Sequence, residues 1–323
     1  MDYVSLGRSG LTVSRLALGT MNFGRVTEEP EAHRILDVAR EAGINFVDTA
    51  NVYGGQEHRG RTEEIIGAWF SGAPERRAWT VLATKLYNPT GDAPNDKGLS
   101  ARNIVRACDA SLRRLKTDHI DVYQMHHIDR SVPWDEIWQA MERLVTNGKV
   151  LYVGSSNFAG WNIAQANETA RARHFLGLVS EQSLYNVCER SIELELLPAC
   201  RAYGVGVIAY SPLHGGVLGG ALHKHGPGRS TQGRPRQYVE QHHDQIDAWE
   251  ALCRDIGEEP GRVALAWLLG RDGVTAPIVG PRTVDQLSSA VRSLELALDR
   301  DTRDRIDSLF PGPGGQAPEA YAW

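Results

Sequence analysis

The sequence predicts a closed (β/α)8 barrel, the TIM-barrel class, with an N-terminal β-hairpin, extra helices and a long loop after the seventh strand. Three observations carry this. Short β-rich runs alternate with amphipathic helical patterns along almost all of the 323 residues, and such alternation builds a parallel sheet with helical crossovers. The repeating unit spans ~30–40 residues, the size of a βα unit. The open, doubly wound alternative requires a G-x-G-x-x-G turn after its first strand, and Gly19-Thr20-Met21-Asn22-Phe23-Gly24 lacks that spacing. Residues 1–323 read as one domain of this class, with 311–323 as a C-terminal tail.

The elements follow in order. Residues 4–6 and 11–14, around Arg8-Ser9-Gly10, read as the hairpin, and 16–18 as the first strand. A helix is predicted over 28–42: Pro30 suits its first turn, Ala32, Ile35, Leu36 and Ala39 form a stripe, and Gly43 stops it. The second strand ends at Asp48, a helix covers 61–70, and the third strand runs over 79–85. Ser100 is the N-cap of the next helix, whose face is Ile104, Ala107, Cys108, Ser111 and Leu112. Strand four covers 119–125 and a helix 134–146. Strand five (150–154), a helix (161–171), strand six (178–182), a helix (192–203) stopped by Gly204, and strand seven (206–210) follow. Residues 213–243, rich in Gly, His, Arg and Pro, read as a long loop leaving the rim where barrel active sites form. An extra helix (245–256), a regular one (262–269) and strand eight (275–279) complete the set.

Composition narrows the function classes. With 41% hydrophobic and 23% charged residues and a net charge of −5, the chain is an ordinary globular protein. A pI near 6.1 and the lack of a basic stripe argue against nucleic acid. No apolar run is long enough to cross a bilayer, and the start Met1-Asp2-Tyr3 has no leader character, so a cytoplasmic protein is expected. Cys108, Cys188, Cys200 and Cys253 are scattered without ligand spacing, and read as unreactive thiols rather than metal ligands or disulfides.

Four polar residues stand at or just beyond the ends of apolar runs: Asp48, Tyr53, Lys85 and His126. A lysine closing a buried strand needs a counter-charge, and Asp48 is the expected one. An ammonium beside a phenol is expected to lower the phenol's pKa, making Tyr53 a better acid near pH 7. A neutral imidazole can hydrogen-bond a substrate oxygen and orient it. His126 and His127 are expected on opposite faces, because strand side chains alternate; periodicity does not choose between them. Such a set suits proton donation beside hydride transfer to a ketone or aldehyde.

Asp48-Thr49-Ala50-Asn51-Val52-Tyr53-Gly54 resembles the signature of the aldo-keto reductases. Thr84-Lys85, Ile120-Asp121-Val122-Tyr123-Gln124-Met125-His126-His127 and Val153-Gly154-Ser155-Ser156-Asn157-Phe158 are similar to further family motifs, in order. So are Glu181-Gln182 with Tyr185-Asn186, and Ala209-Tyr210-Ser211-Pro212-Leu213. The resemblance implies Tyr53 as general acid, Lys85 and Asp48 as the pair that tunes it, and His126 rather than His127 as the carbonyl-orienting imidazole. It also implies NADPH lying extended across the barrel mouth. Ser156, Asn157 and Gln182 match positions that bond the nicotinamide carboxamide, and Tyr210 matches the aromatic stacked on the ring. Gly19, Thr20 and Met21 match the loop beside the ribose, with Asp48 nearby. Ser211, Leu213 and Gly215, with the glycines up to Gly219, would meet the pyrophosphate.

Gly280, Arg282 and Gln286 lie before and in the last barrel helix, where an arginine fork at a helix N-terminus favours a 2′-phosphate. The family commonly has Glu and Asn shortly after; this chain has Ser289 and Ala290. Substrate contacts are expected from Met21, Asn22, Phe23, Tyr87 to Pro89, His127, the 213–243 loop and the tail ending in Tyr321-Ala322-Trp323. The tail is also suited to a contact between copies, leaving a homo-oligomer open. It is similar to that of bacterial family members of antibiotic pathways, including NDP-hexose 2,3-enoyl reductases. This implies a polyketide ketone or keto-deoxysugar as the carbonyl substrate. Two other classes share the fold: cofactor-binding regulatory subunits resembling potassium-channel β-subunits, and Schiff-base aldolases, whose lysine needs a desolvated site rather than an aspartate. A metal hydrolase is disfavoured because no His-x-His pair follows an early strand, and no metal is expected.

Overall fold

The computed structural model describes residues 1–55, 57–223 and 229–321. Strands β1 (Tyr3–Ser5) and β2 (Thr12–Ser14) pair antiparallel, with Tyr3 opposite Ser14. The barrel strands are β3 (Ala17–Gly19), β4 (Phe46–Asp48), β5 (Val81–Leu86), β6 (Ile120–Met125), β7 (Val150–Ser156), β8 (Leu178–Leu184), β9 (Gly206–Tyr210) and β10 (Val274–Val279). They pair parallel in sequence order, and β10 closes on β3 through Ile278 opposite Ala17. Around them lie α1 (Glu29–Glu41), α2 (Arg61–Ser71), α3 (Pro74–Trp79), α4 (Ala101–Leu115), α5 (Trp134–Thr146) and α6 (Gly160–Ala172). The second half adds α7 (Leu196–Tyr203), α8 (Gly233–Gln241), α9 (His243–Asp255), α10 (Pro260–Leu269), α11 (Val284–Arg292) and α12 (Arg300–Leu309).

Local chemistry explains the helix boundaries. Ser100 Oγ accepts from Asn103 N at 3.3 Å at the start of α4, and Asp299 accepts from Thr302 N at 2.8 Å at the start of α12. Gly204 takes φ 62° to end α7. The stripe Ile104, Ala107, Cys108, Ser111 and Leu112 is buried as α4 packs on the sheet. Burial holds the thiols of Cys108, Cys188 and Cys253 up at about 12, so they remain protonated.

The barrel lumen is a hydrocarbon plug. Ala17, Phe46, Val81, Ala83, Val122, Val179, Ile208, Ala276 and Ile278 form one cluster, and the hairpin region adds Leu6 and Val13. The chain following β1 presses against the strands: a Cβ on Gly7, at φ +56°, would lie 2.3 Å from Val179 O. Arg8 ties it there by donating to Tyr203 O, Leu176 O and Asn167 Oδ1.

Three expectations about elements need correction. Trp79 belongs to α3, not to the third strand; Pro74 starts the helix, Arg77 bonds Thr80 O at 2.9 Å, and Trp79 is 42% exposed. The 213–243 segment is not structureless, because α8 forms inside it, held by Tyr238 against His214 and His242 with centroids 4.5 and 4.3 Å apart. The tail turns back onto residues 190–194, with Ala317 N donating to Leu194 O at 2.8 Å and Arg190 to Phe310 O at 2.9 Å. Trp323 lies outside the described residues. No helix among the described residues is long and apolar enough to cross a membrane.

Candidate active site

The polar centre begins one inward-facing position above the apolar plug. Side chains along a strand alternate, so a residue two positions beyond a lumen residue faces the same way. Asp48 follows Phe46 by this step, Lys85 follows Ala83, Gln124 follows Val122, and Tyr210 follows Ile208. Register brings them level: Lys85 pairs with Gln124, and Ala83 with both Asp48 and Val122. Tyr53 arrives from the loop after β4, which Gly60 N and Thr62 N close by donating to its carbonyl at 3.0 and 3.4 Å.

Lys85 is fully buried and uses all three ammonium hydrogens. It donates to Asp48 Oδ2 at 2.6 Å, Thr49 O at 2.9 Å and Tyr53 Oη at 3.2 Å. The other oxygen of Asp48 accepts from Gln124 Nε2 at 3.0 Å and Gln182 Nε2 at 2.8 Å. A buried charge is tolerable only when so compensated. Burial alone would depress the Lys85 pKa, but Asp48 and Tyr53 outweigh it and hold the amine above its ordinary value. For Tyr53, burial pushes the phenol up; Lys85 pulls it down, Asp48 adds to the rise, and the net direction is up. The expected net lowering is therefore corrected. The free site holds a neutral phenol next to a permanent cation, which is the protonation state of a proton donor.

Burial lowers His126 to about 2, with Lys85 and His127 adding to the effect, so its ring is neutral. It meets the Tyr53 ring edge-on, with centroids 6.1 Å apart at 77°. His126 and His127 do not point to opposite faces. The strand ends at Met125, alternation stops there, and the two rings stack 5.6 Å apart at 10°. Both line the cavity.

That cavity, about 990 Å³, runs from Tyr53 and His126 across the barrel mouth to α11. Among the predicted cofactor residues, Gly19, Thr20, Met21, Asp48, Ser156, Asn157, Gln182, Tyr210, Ser211, Leu213, Gly215, Gly280, Arg282 and Gln286 all line it. Asn157, in a left-handed conformation at φ 59°, donates to His126 O at 3.1 Å and Ser156 Oγ at 2.9 Å, and accepts from Tyr210 Oη at 2.8 Å. Glu181 supports that turn, accepting from Phe158 N at 3.1 Å, Ser183 Oγ at 2.7 Å and Ser155 Oγ at 2.5 Å. Burial raises Glu181 to about 7 while those hydrogen bonds pull it back.

At the far end, Arg282 N donates to Gln286 Oε1 at 2.8 Å, and among the described residues no carboxylate pairs with the Arg282 guanidinium. Ser289 Oγ donates to Glu259 Oε2 at 2.8 Å, bringing a carboxylate to this end of the cavity. Added Cβ atoms at Gly219, Gly261 and Gly280 would meet nothing closer than 3.7 Å. Space therefore remains in front of these backbones, as an extended phosphate-bearing ligand needs.

Of the residues expected to contact substrate, Phe23 and Tyr87 to Pro89 do not line the cavity. Phe23 is fully buried among Leu16, Leu18, Ile35 and Ile65, and its carbonyl accepts from Thr62 Oγ1 at 2.8 Å. Tyr87 does not line the cavity; it packs edge-on against His127 with centroids 5.4 Å apart. Asn22 does line it, with its amide on Gly280 O at 2.8 Å. No described residue of the tail lines it. The residues alone did not single out Gln124 as a partner of Asp48, although its amide in an apolar strand, one inward step above Val122, was the signal.

Residues 15–310 match the aldo/keto reductase family. The chain is 52% identical over 327 residues to the uncharacterized oxidoreductase YrpG of Bacillus subtilis (strain 168), covering 100% of both chains. It is 32% identical over 321 residues to a probable voltage-gated potassium channel subunit beta of Oryza sativa subsp. japonica, covering 96% of each. It is 33% identical over 332 residues to the versiconal hemiacetal acetate reductase of Aspergillus parasiticus, covering 92% of this chain and 94% of that one. Fold and relatives together define an oxidoreductase built on a (β/α)8 barrel. The chain belongs to the aldo/keto reductase family, whose members use a nicotinamide cofactor, NADH or NADPH.

Proposed function

We propose that this enzyme reduces a ketone or aldehyde to the alcohol with NADPH, Tyr53 delivering the proton to the carbonyl oxygen. The observation that carries this is the fully engaged Lys85, 2.6 Å from Asp48 and 3.2 Å from the Tyr53 hydroxyl. A reduced nicotinamide bound in the cavity supplies the hydride to the carbonyl carbon. Tyr53 gives its proton to the oxygen, and the Lys85 ammonium stabilises the resulting phenolate. Asp48 keeps Lys85 charged, and the two glutamine amides orient Asp48 by donating to its other oxygen. Neutral His126 donates a hydrogen bond to the same oxygen and fixes its direction. Ser156, Asn157 and Gln182 would hold the nicotinamide amide, with Tyr210 against the ring.

The Arg282 fork at the N-terminus of α11, with no carboxylate partner among the described residues, supports NADPH over NADH. Steady-state kinetics with both cofactors tests this; equal or better kcat/KM with NADH defeats it. For the substrate we favour a natural-product ketone or a keto-deoxysugar. A wide mouth with an extra segment after β9 and a relative named for a hemiacetal acetate support this. Turnover of keto-sugar nucleotides, polyketide ketones and simple aldehydes separates the options, and preference for simple aldehydes argues against it. Reduction of a nucleotide-sugar enone in the same panel would favour the 2,3-enoyl reductase activity instead. The second reading, a regulatory subunit, draws on the rice relative. Unchanged turnover in Tyr53→Phe would favour it.

A further inference from the structure

The site assigns no duty to Asn88, yet its amide reaches His126, the imidazole proposed above to orient the carbonyl. Beyond the end of β5, Tyr87 takes φ 135°, a conformation that side-chain-bearing residues rarely adopt. Gly98 N holds that turn by donating to Tyr87 O at 2.7 Å, and His126 N joins the same loop by donating to Leu86 O at 2.9 Å. The turn carries the Asn88 Nδ2 to 3.2 Å from His126 Nδ1. With the amide oriented so that its nitrogen faces the ring, Asn88 donates and Nδ1 accepts through its lone pair, which puts the single proton of the neutral ring on Nε2. Stacking on His127 fixes the ring plane, and Tyr87 buttresses His127 from the other side. Burial and the neighbouring Lys85 keep the doubly protonated ring out of reach at neutral pH.

We propose that Asn88 is a positioning residue that sets the tautomer of His126, keeping Nε2 protonated so that the ring donates to the substrate carbonyl. The inference rests on the role proposed above for His126, but its structural part stands separately. A strained turn next to a histidine is otherwise unexplained in this loop.

The test combines 15N–1H correlation spectra of the full-length enzyme, labelled at histidine, with kinetics at pH 8. The His126 signal is assigned by its disappearance in His126→Asn. Wild-type His126 is expected to show a proton on Nε2 and a bare Nδ1, and a proton on Nδ1 overturns the proposal even if no Asn88 variant folds. In Asn88→Asp the carboxylate only accepts, so the proton moves to Nδ1 and the carbonyl loses its donor. Loss of one such donor lowers kcat about 100-fold, with KM changed less than threefold. Part of that loss should return towards pH 5, as the carboxylate lets the ring take a second proton and Nε2 donates again. Asn88→Ala, which leaves both tautomers available, should lose less than Asn88→Asp. Wild-type kcat in Asn88→Asp, or a lowered kcat with the proton still on Nε2, contradicts the assignment. Full activity in His126→Asn would instead sink the proposed role of His126 while leaving the spectra to judge Asn88.

Discussion

The two ends of the cavity are built on opposite principles. At the proton end, Asp48, Lys85, Gln124 and Gln182 are buried and joined to one another by hydrogen bonds, and they rise from the strands of a packed lumen. At the far end, Arg282, Gln286, Ser289 and Glu259 are partly or fully exposed, lie in α11 or the turns before α10 and α11, and leave the arginine without a carboxylate partner among the described residues. The first end has to hold one protonation state without a ligand. The second only has to meet a charged partner that arrives from solvent. Stability and chemistry are therefore coupled at one end and separable at the other.

The largest effect should come from breaking the buried pair. Lys85→Met leaves the Asp48 carboxylate uncompensated and should cost about 3–5 kcal/mol in urea unfolding, together with nearly all turnover. Adding Asp48→Asn should restore much of the stability but no activity, because an uncharged pair no longer needs compensation. If Lys85→Met alone unfolds like wild type, the coupling at this end is wrong. Next, Arg282→Ala should raise KM for NADPH about 10–100-fold, the worth of about 1.5–3 kcal/mol in charged hydrogen bonds, with kcat and stability unchanged. A similar rise with NADH would show that the arginine does not read the 2′-phosphate.

A smaller effect concerns pH. His126 in the folded chain takes up a proton only near pH 2, whereas an unfolded histidine does so near pH 6.5. Between those values the unfolded state binds more protons, so the contribution to stability falls as pH drops through the window. Comparing unfolding free energies at pH 8 and pH 5, His126→Asn should lose about 1–2 kcal/mol less than wild type. An identical pH dependence in the two proteins would contradict the neutral, buried ring.

The same contrast explains what could be read from the residues alone. The barrel and the Lys85–Asp48 contact were legible because a strand-terminal Lys85 needs a counter-charge, and alternation with helices leaves few topologies that bring Asp48 beside it. The strand rule failed where the strand stopped, so His127 lies beside His126 instead of opposite it. Phe23 looked like a rim residue, but its ring is buried in the core with Leu16, Leu18, Ile35 and Ile65. Trp79 reads as β-rich by residue type, while Pro74 and the Arg77 bonds make that stretch helical. The net rise of the Tyr53 pKa was hidden because burial, which the sequence does not report, outweighs a nearby ammonium.

The proton end is tested most directly by Tyr53→Phe, which removes one oxygen and leaves the ring packing. Single-turnover reduction of a ketone under saturating NADPH should slow at least about 100-fold, while cofactor affinity followed by fluorescence titration stays within twofold. Unchanged reduction at unchanged affinity would mean that Tyr53 is not the acid and that the buried Asp48–Lys85 pair serves stability alone.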